Sequence, residues 1–297
     1  MSGGDIVLVK VETEIHEERV EVIGNVEGGI LAAEWTADEE VLAIASGSHI
    51  QFRILMVGRS NLLFMTSGFE IIAEVPLSSG EVSKHINQVS VGWGRAETQF
   101  RGLRAKNAPR DPTLPEKVDQ GVLSPDDDGK IRLNWRGDGE CLAFSRIEEE
   151  QNKPPKRVIR VYTRDGQIES FSEPIDGLEG VLAWRPSGNW IATVQRKSIE
   201  EADVVFLERN GLRHGGFALR SAGASIRDLA WNSESNILSI LLDDRLQMWM
   251  MSNYDWHLKQ EVIVAKEDAT KFRAFWHPEK PFILFTTTTG TLLVRND

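Results

Sequence analysis

Residues 180–194 read GVLAWRPSGNWIATV: an apolar run ending in Trp184, a polar turn, then a second apolar run. Related units end their first run at Trp35 (GGILAAEWTADEEVLAIAS), Trp93 (NQVSVGWGRAETQF), Trp135 (KIRLNWRGDGECLAFS), Trp231 (SIRDLAWNSESNILSIL) and Trp276 (KFRAFWHPEKPFILFTT). Apolar residues that alternate with polar ones mark a strand with one buried face, and clusters of Pro, Gly, Asn, Asp and Ser reverse the chain. Each unit therefore predicts an antiparallel hairpin. The Trp93 unit is the loosest match, because its turn lacks the same punctuation. Second hairpins follow in RVIRVYTRDGQIESFS and DVVFLERNGLRHGGFAL. Their Asp165-Gly166 and Asn210-Gly211 dipeptides suit a type I′ turn, whose two central residues need positive φ.

Two hairpins per unit make four strands, repeated at intervals of roughly 40 to 60 residues, the period of a β-propeller blade. A lone four-stranded sheet leaves a face unburied, so blades stack and large side chains fill the space between them. The recurring tryptophans (Trp35, Trp93, Trp135, Trp184, Trp231 and Trp276) are the expected blade core. The expected fold is thus all-β: one WD-repeat-like β-propeller domain over residues 1–297, with six Trp-anchored repeats. A sandwich of unrelated hairpins is the alternative. A helical solenoid fails, since turn residues interrupt every apolar run too early for a helix pair. Three stretches break the regular period. Residues 1–27 look like a partial blade, one hairpin only. Residues 47–60 (GSHIQFRILMVGRS) read as an insertion between strands. Residues 271–297 form a final, short blade.

Charge and composition narrow the function. Across 297 residues the formal charge is −11, which argues against coating nucleic acid or anionic membrane by bulk charge, while leaving room for a local basic patch. The most apolar window, residues 41–58, is broken by His49, Gln51 and Arg53 and is too polar to span a bilayer. The N-terminus has no basic-then-apolar signal pattern, and the single cysteine, Cys141, cannot form an intramolecular disulfide. The expected setting is cytoplasmic, with the nucleus as a second compartment, and no membrane partner.

No catalytic, cofactor or metal constellation has the right spacing. His16-Glu17 starts like a zinc-protease helix, but Val20 stands where the second histidine belongs. GWGRAE, from Gly92, ends in Glu97 rather than glycine and lies in a strand context, so it is no phosphate cradle. G-x-S-x-G is absent. His214 and His277 adjoin turns and read as turn anchors; Asp126, Asp127 and Asp128 read as a solvated loop rather than a calcium site. Cys141 reads as a buried small hydrophobe. An enzyme is not expected. The distinctive local charge is Arg95, Arg101, Arg104, Lys106 and Arg110 against a single Glu97. This segment is the candidate contact loop for a partner or RNA, its alternative being a solvated basic loop. Lys153, Lys156, Arg157 and Arg160 make a second basic cluster, diluted by the acidic run at 148–150.

Five stretches carry a more specific signal: VGWGRAETQFRG (91–102), WRGDGECLAFS (135–145), LAWRPSGNWIAT (182–193), DVVFLERNGLRHGGFALR (203–220) and NYDWHLKQ (253–260). Together they resemble the amino-terminal propeller of the largest subunit of Elongator, over nearly the whole chain except residues 47–60. The resemblance implies a seven-bladed propeller of which this chain is an incomplete copy, without the family's second propeller and helical solenoid. It also implies a non-catalytic scaffold in wobble-uridine (5-carboxymethyl-type) modification of tRNA. The implied partners are the other Elongator subunits, including the catalytic radical-SAM and acetyltransferase-like subunit, and tRNA itself. Two other readings stay open: a generic propeller adaptor in another assembly, and the propeller domain of a hydrolase.

Overall fold

The computed structural model describes residues 4–11, 18–26, 28–47, 60–77, 119–149, 153–219, 223–264, 272–280, 282–287 and 290–295. Every regular element among them is a strand. A hairpin of β1 (Asp5–Val11) and β2 (Glu18–Asn25) comes first. Three strands of the next sheet are β3 (Ile30–Trp35), β4 (Val41–Ser46) and β5 (Asn61–Thr66), and β6 (Ile71–Pro76) completes it. The Trp135 sheet runs β7 (Arg132–Trp135), β8 (Cys141–Glu148), β9 (Lys156–Thr163), β10 (Ile168–Phe171). The Trp184 sheet runs β11 (Leu178–Trp184), β12 (Trp190–Arg196), β13 (Ala202–Glu208), β14 (Arg213–Ala218). The Trp231 sheet runs β15 (Ile226–Trp231), β16 (Ile237–Leu242), β17 (Arg245–Ser252), β18 (Asp255–Ile263). A three-stranded sheet of β19 (Arg273–Trp276), β20 (Phe282–Thr287) and β21 (Gly290–Arg295) closes the order.

Each sheet is an antiparallel meander, and its first strand lies beside the first strand of the next sheet: β3 touches β7, β7 touches β11, β11 touches β15, and β15 touches β19. That is the inner ring of a propeller. The second strands, β4 and β16, are buried at every position, because each sheet is packed on both faces. The outer strands β6 and β18 alternate toward solvent.

The residue after each tryptophan closes the same turn. Thr36 N donates to Val41 O, Arg136 N to Cys141 O, Arg185 N to Trp190 O, Asn232 N to Ile237 O and His277 N to Phe282 O, all at 2.8–3.0 Å. The fourth residue after the tryptophan takes positive φ in four of these turns, at Glu39, Gly139, Gly188 and Ser235.

The tryptophans face the preceding blade. Trp135 packs with Val41, Ala43 and Phe64 of the Trp35 sheet, and Trp231 with Phe206 and Val204 of the Trp184 sheet. Trp135, Trp184 and Trp231 are buried and Trp276 is half-buried against the Trp231 sheet. Trp35 departs from its expected core position, being 38% exposed. Its side faces the β1–β2 hairpin, which sends Ile6 against that face but brings no inner strand to cover the indole. Trp93 lies outside the described residues. The Trp35 and Trp135 sheets are in direct contact through β3 and β7.

The turn chemistry also differs from expectation. Gly166 and Gly211 have φ of 80° and 85°, whereas Asp165 and Asn210 do not have positive φ. Thr163 N donates to Gln167 O and Glu208 N to Leu212 O, so each loop is longer than a type I′ turn and ends in a glycine bulge. At Gly211 a Cβ would fall 1.9 Å from Phe171 O of the neighbouring sheet, so only glycine fits. The two-residue turn with both φ positive is instead Asn253-Tyr254, between paired Ser252 and Asp255.

Candidate interaction surface

The meander order sends the turns after each tryptophan and the outer hairpin turns to one face of the propeller. The remaining loops gather on the opposite face. Both faces carry arginines that reach carboxylates of their own or a neighbouring blade, while Arg185 instead donates to Ser235 O and lies over Trp190 and Trp231.

On the turn face, Arg164 donates to Asp38 and Glu40 of the preceding sheet, each at 2.8 Å. The Thr36 hydroxyl and Arg164 together hold the Asp38 carboxyl down at about 2. Arg136 binds Asp138 and reaches Asn189 of the next sheet at 3.2 Å, while Arg209 crosses back to Glu169. These three arginines line a shallow cleft with Ile72 and Cys141. Paired cations make this face a set of blade-to-blade clamps. Burial raises the Cys141 thiol above its ordinary value, and its nearest polar partner is Glu169 Oε2 at 3.7 Å. His214 Nδ1 lies 2.6 Å from Glu208 and its ring packs at a tilt against Trp190; His277 Nδ1 accepts from the Glu279 and Lys280 backbone in its own turn.

On the opposite face the structure corrects two readings. Arg157 and Arg160 of the second basic cluster are buried strand residues. Arg157 is fully buried and forms a bidentate pair with Asp127, joined by bonds to Ser145 Oγ and Lys130 O at 3.1 Å. Arg160 pairs with buried Glu148, which also meets Arg146. The Asp126–128 run is solvated only in part: Asp126 and Asp128 are exposed, at 3.2 Å from Arg196 and paired with Arg132 respectively, while the Asp127 side chain is buried against Arg157. Short-range periodicity shows β9 as a strand, but a carboxylate 30 residues upstream is not legible as an arginine's partner.

The candidate contact residues Arg95, Arg101, Arg104, Lys106 and Arg110 lie outside the described residues. The positions flanking their segment are held firmly on this second face. Before it, Leu77 O accepts from buried Arg146 at 2.7 Å, and Leu77 N donates to Ser60 O. After it, the backbone N–H groups of Gln120, Gly121 and Val122 converge on Asp176 Oδ1 at 2.8, 2.9 and 3.1 Å. Ser46 pairs directly with Asn61 across β4 and β5, and residues 48–59 lie outside the described residues.

Linear periodicity does not reveal a polar relay at the inner ring. Asn134 donates to Glu34 Oε1 at 2.9 Å and accepts from Trp184 N at 2.5 Å, linking three successive sheets. Burial pushes the Glu34 carboxyl up to about 8, and the charge of Asp228 across the ring adds to the shift. Asp228 is itself raised, chiefly by desolvation beside the inner strands, although its surface remains exposed. A polar residue immediately before the tryptophan, Glu34 and Asn134 in two units, was the available signal.

The family model for the ELP1 first N-terminal beta-propeller matches residues 1–279. The chain belongs to this family. It is 43% identical over 289 residues to Elongator complex protein 1 of Schizosaccharomyces pombe, covering 97% of this chain and 22% of that protein. Elongator complex protein 1 of Saccharomyces cerevisiae is 37% identical over 320 residues, covering 97% and 22%; that of Mus musculus is 32% identical over 303 residues, covering 97% and 21%. This member of the ELP1 propeller family thus spans about a fifth of those relatives' length. The solved complex of KlAtg21 with coiled-coil of AgAtg16 aligns with TM-score 0.60 at 12% identity, over 99% of this chain and 78% of that one. At that identity the likeness shows the fold alone.

Proposed function

We propose that this propeller acts as a non-catalytic scaffold within Elongator, supporting wobble-uridine modification of tRNA in the cytoplasm. The observation that carries the reading is the family match across residues 1–279. The described surfaces fit the role physically: Arg164 and Arg209 clamp neighbouring blades together, which stiffens the platform. In this reading the chain contacts other Elongator subunits, among them the catalytic one. In the same reading the basic segment holding Arg95, Arg101, Arg104, Lys106 and Arg110 contacts a partner or tRNA.

The test is mass spectrometry of nucleosides from tRNA of cells lacking the gene. Loss of 5-carboxymethyl-type uridines, restored by re-expression, is expected. Unchanged modification would overturn the reading and leave an adaptor in another assembly as the better account.

A further inference from the structure

The turns between the first two strands of the Trp135 and Trp184 sheets are built alike, and in each an arginine directly follows the tryptophan. Arg136 is neutralised inside its own turn: Asp138, two residues on, accepts from Nε at 2.8 Å and from Nη2 at 2.6 Å. The equivalent position in the next turn is Ser187, which carries no charge. Arg185 turns to the neighbouring sheet instead. Its Nε donates to Ser235 O at 2.8 Å, and the guanidinium lies 5.1 Å from the Trp190 ring centre and 5.6 Å from that of Trp231. Among the described residues no carboxylate pairs with it, and its Nη1 and Nη2 groups have no acceptor. Burial pulls this guanidinium below its ordinary value, with no acid acting against the shift.

The site lies between two complete four-stranded blades, and every loop of both on this face is described, at 185–189, 209–212, 232–236 and 253–254. Arg185, Pro186 and Trp190 are each half-buried there, so the surface is open but partly dry. A guanidinium fixed by its Nε leaves the two outer nitrogens side by side, which matches a carboxylate through parallel N–H···O bonds. Arginine and tryptophan are also the side chains that most often anchor protein interfaces. A polyanion fits less well. Glu208 holds His214, whose ring is 4.7 Å from Trp190, and Glu234 directly precedes Ser235. A run of phosphates would have to lie against these acids, whereas a single carboxylate need engage only the arginine.

We propose that Arg185, flanked by Trp190, is the docking anchor for an aspartate or glutamate of a protein partner. The partner supplies from outside the carboxylate that Asp138 supplies within the neighbouring turn. This docking does not rest on the Elongator reading.

Arg185→Lys keeps a cation and adds a primary amine. Carbodiimide added to extracts of cells expressing this variant joins that amine, as an amide, to the carboxylate it touches, the carbodiimide taking up the water. Mass spectrometry of the peptide linked at position 185 is expected to find an aspartate or glutamate of another protein. A synthetic peptide of that segment is then titrated by fluorescence anisotropy against the wild-type chain, Arg185→Gln and Ser187→Asp. Both variants are expected to bind about tenfold more weakly or worse, as is the peptide with its acid changed to the amide. Ser187→Asp separates docking from packing, because it leaves Arg185 and both rings in place and neutralises the arginine as Asp138 does Arg136. Its melting temperature should be no lower than that of the wild type. Full peptide affinity in Ser187→Asp would overturn the proposal, and so would linkage only to the chain's own carboxylates or to none. A tRNA affinity that falls in Arg185→Gln without any such linkage would assign the arginine to a phosphate and overturn it equally. Circular dichroism checks that each variant is folded, and Arg185→Gln carries the comparison if Ser187→Asp is not.

Discussion

At the residue scale, the buried polar groups follow from how the blades converge. A polar residue one place before the tryptophan looks, in a linear reading, like the solvent side of a strand. In the propeller it points to where five inner strands crowd together, so Glu34 is half-buried and its proton is retained. The sign of the pH dependence follows. Glu34 binds its proton more tightly folded than unfolded, so its contribution to stability is complete below its ordinary value of 4.5. It is lost progressively as the pH rises from there toward about 8. Glu34→Gln keeps an acceptor for Asn134 without the charge. It should remove this slope, which is at most about 1.4 kcal/mol per pH unit. Urea unfolding at several pH values between those limits reads it directly: wild type and variant with parallel pH profiles would show that Glu34 ionises normally. The Arg157–Asp127 pair has a related origin, because Gly180 of the next blade leaves room for the guanidinium; a Cβ there would lie 3.2 Å from Arg157 Cζ.

At the element scale, the hairpins and strand order of the described sheets were legible because alternation and turn clusters are local properties. Turn type was less legible, since it depends on the register of the flanking strands. Asp-Gly and Asn-Gly are good type I′ sequences, yet pairing beyond Thr163 and Glu208 places them within longer loops where only the glycine has positive φ. The two-residue turn fell instead at Asn253-Tyr254, where a tyrosine stands at φ 65°. An L-residue with a bulky side chain is strained in that region, and the Tyr254 ring is 90% exposed, so it contributes little packing in return. Tyr254→Gly should therefore stabilise the chain by about 0.5–1 kcal/mol, visible as a higher melting temperature. A lower melting temperature would show that the ring has a contact on the propeller's own surface. Trp35 illustrates the reverse limit: its repeat position was legible, but its burial depends on a neighbouring inner strand, which periodicity does not register.

At the scale of the whole molecule, the family was legible in short motifs, while the placement of the basic segment was not. The chain carries a net charge of −11, so its long-range field repels a polyanion, and tRNA binding requires a concentrated local site. Arg95, Arg101 and Arg104 are the densest part of the basic segment, and its flanks are tied down by Arg146 on Leu77 O and by Asp176 on three successive N–H groups. Those anchors do not involve the three arginines, so Arg95→Glu, Arg101→Glu and Arg104→Glu together should leave the blades folded by circular dichroism. If the segment meets phosphates, the triple variant should bind tRNA more weakly. The slope of log affinity against log salt should also fall by roughly 2, near 0.7 for each single-strand phosphate that an arginine no longer neutralises. Fluorescence anisotropy across a salt series measures both quantities. A weaker affinity with an unchanged slope would locate the defect in shape or packing rather than in charge neutralisation. Affinity and slope both unchanged would remove RNA from the role of this segment and leave it to a protein partner.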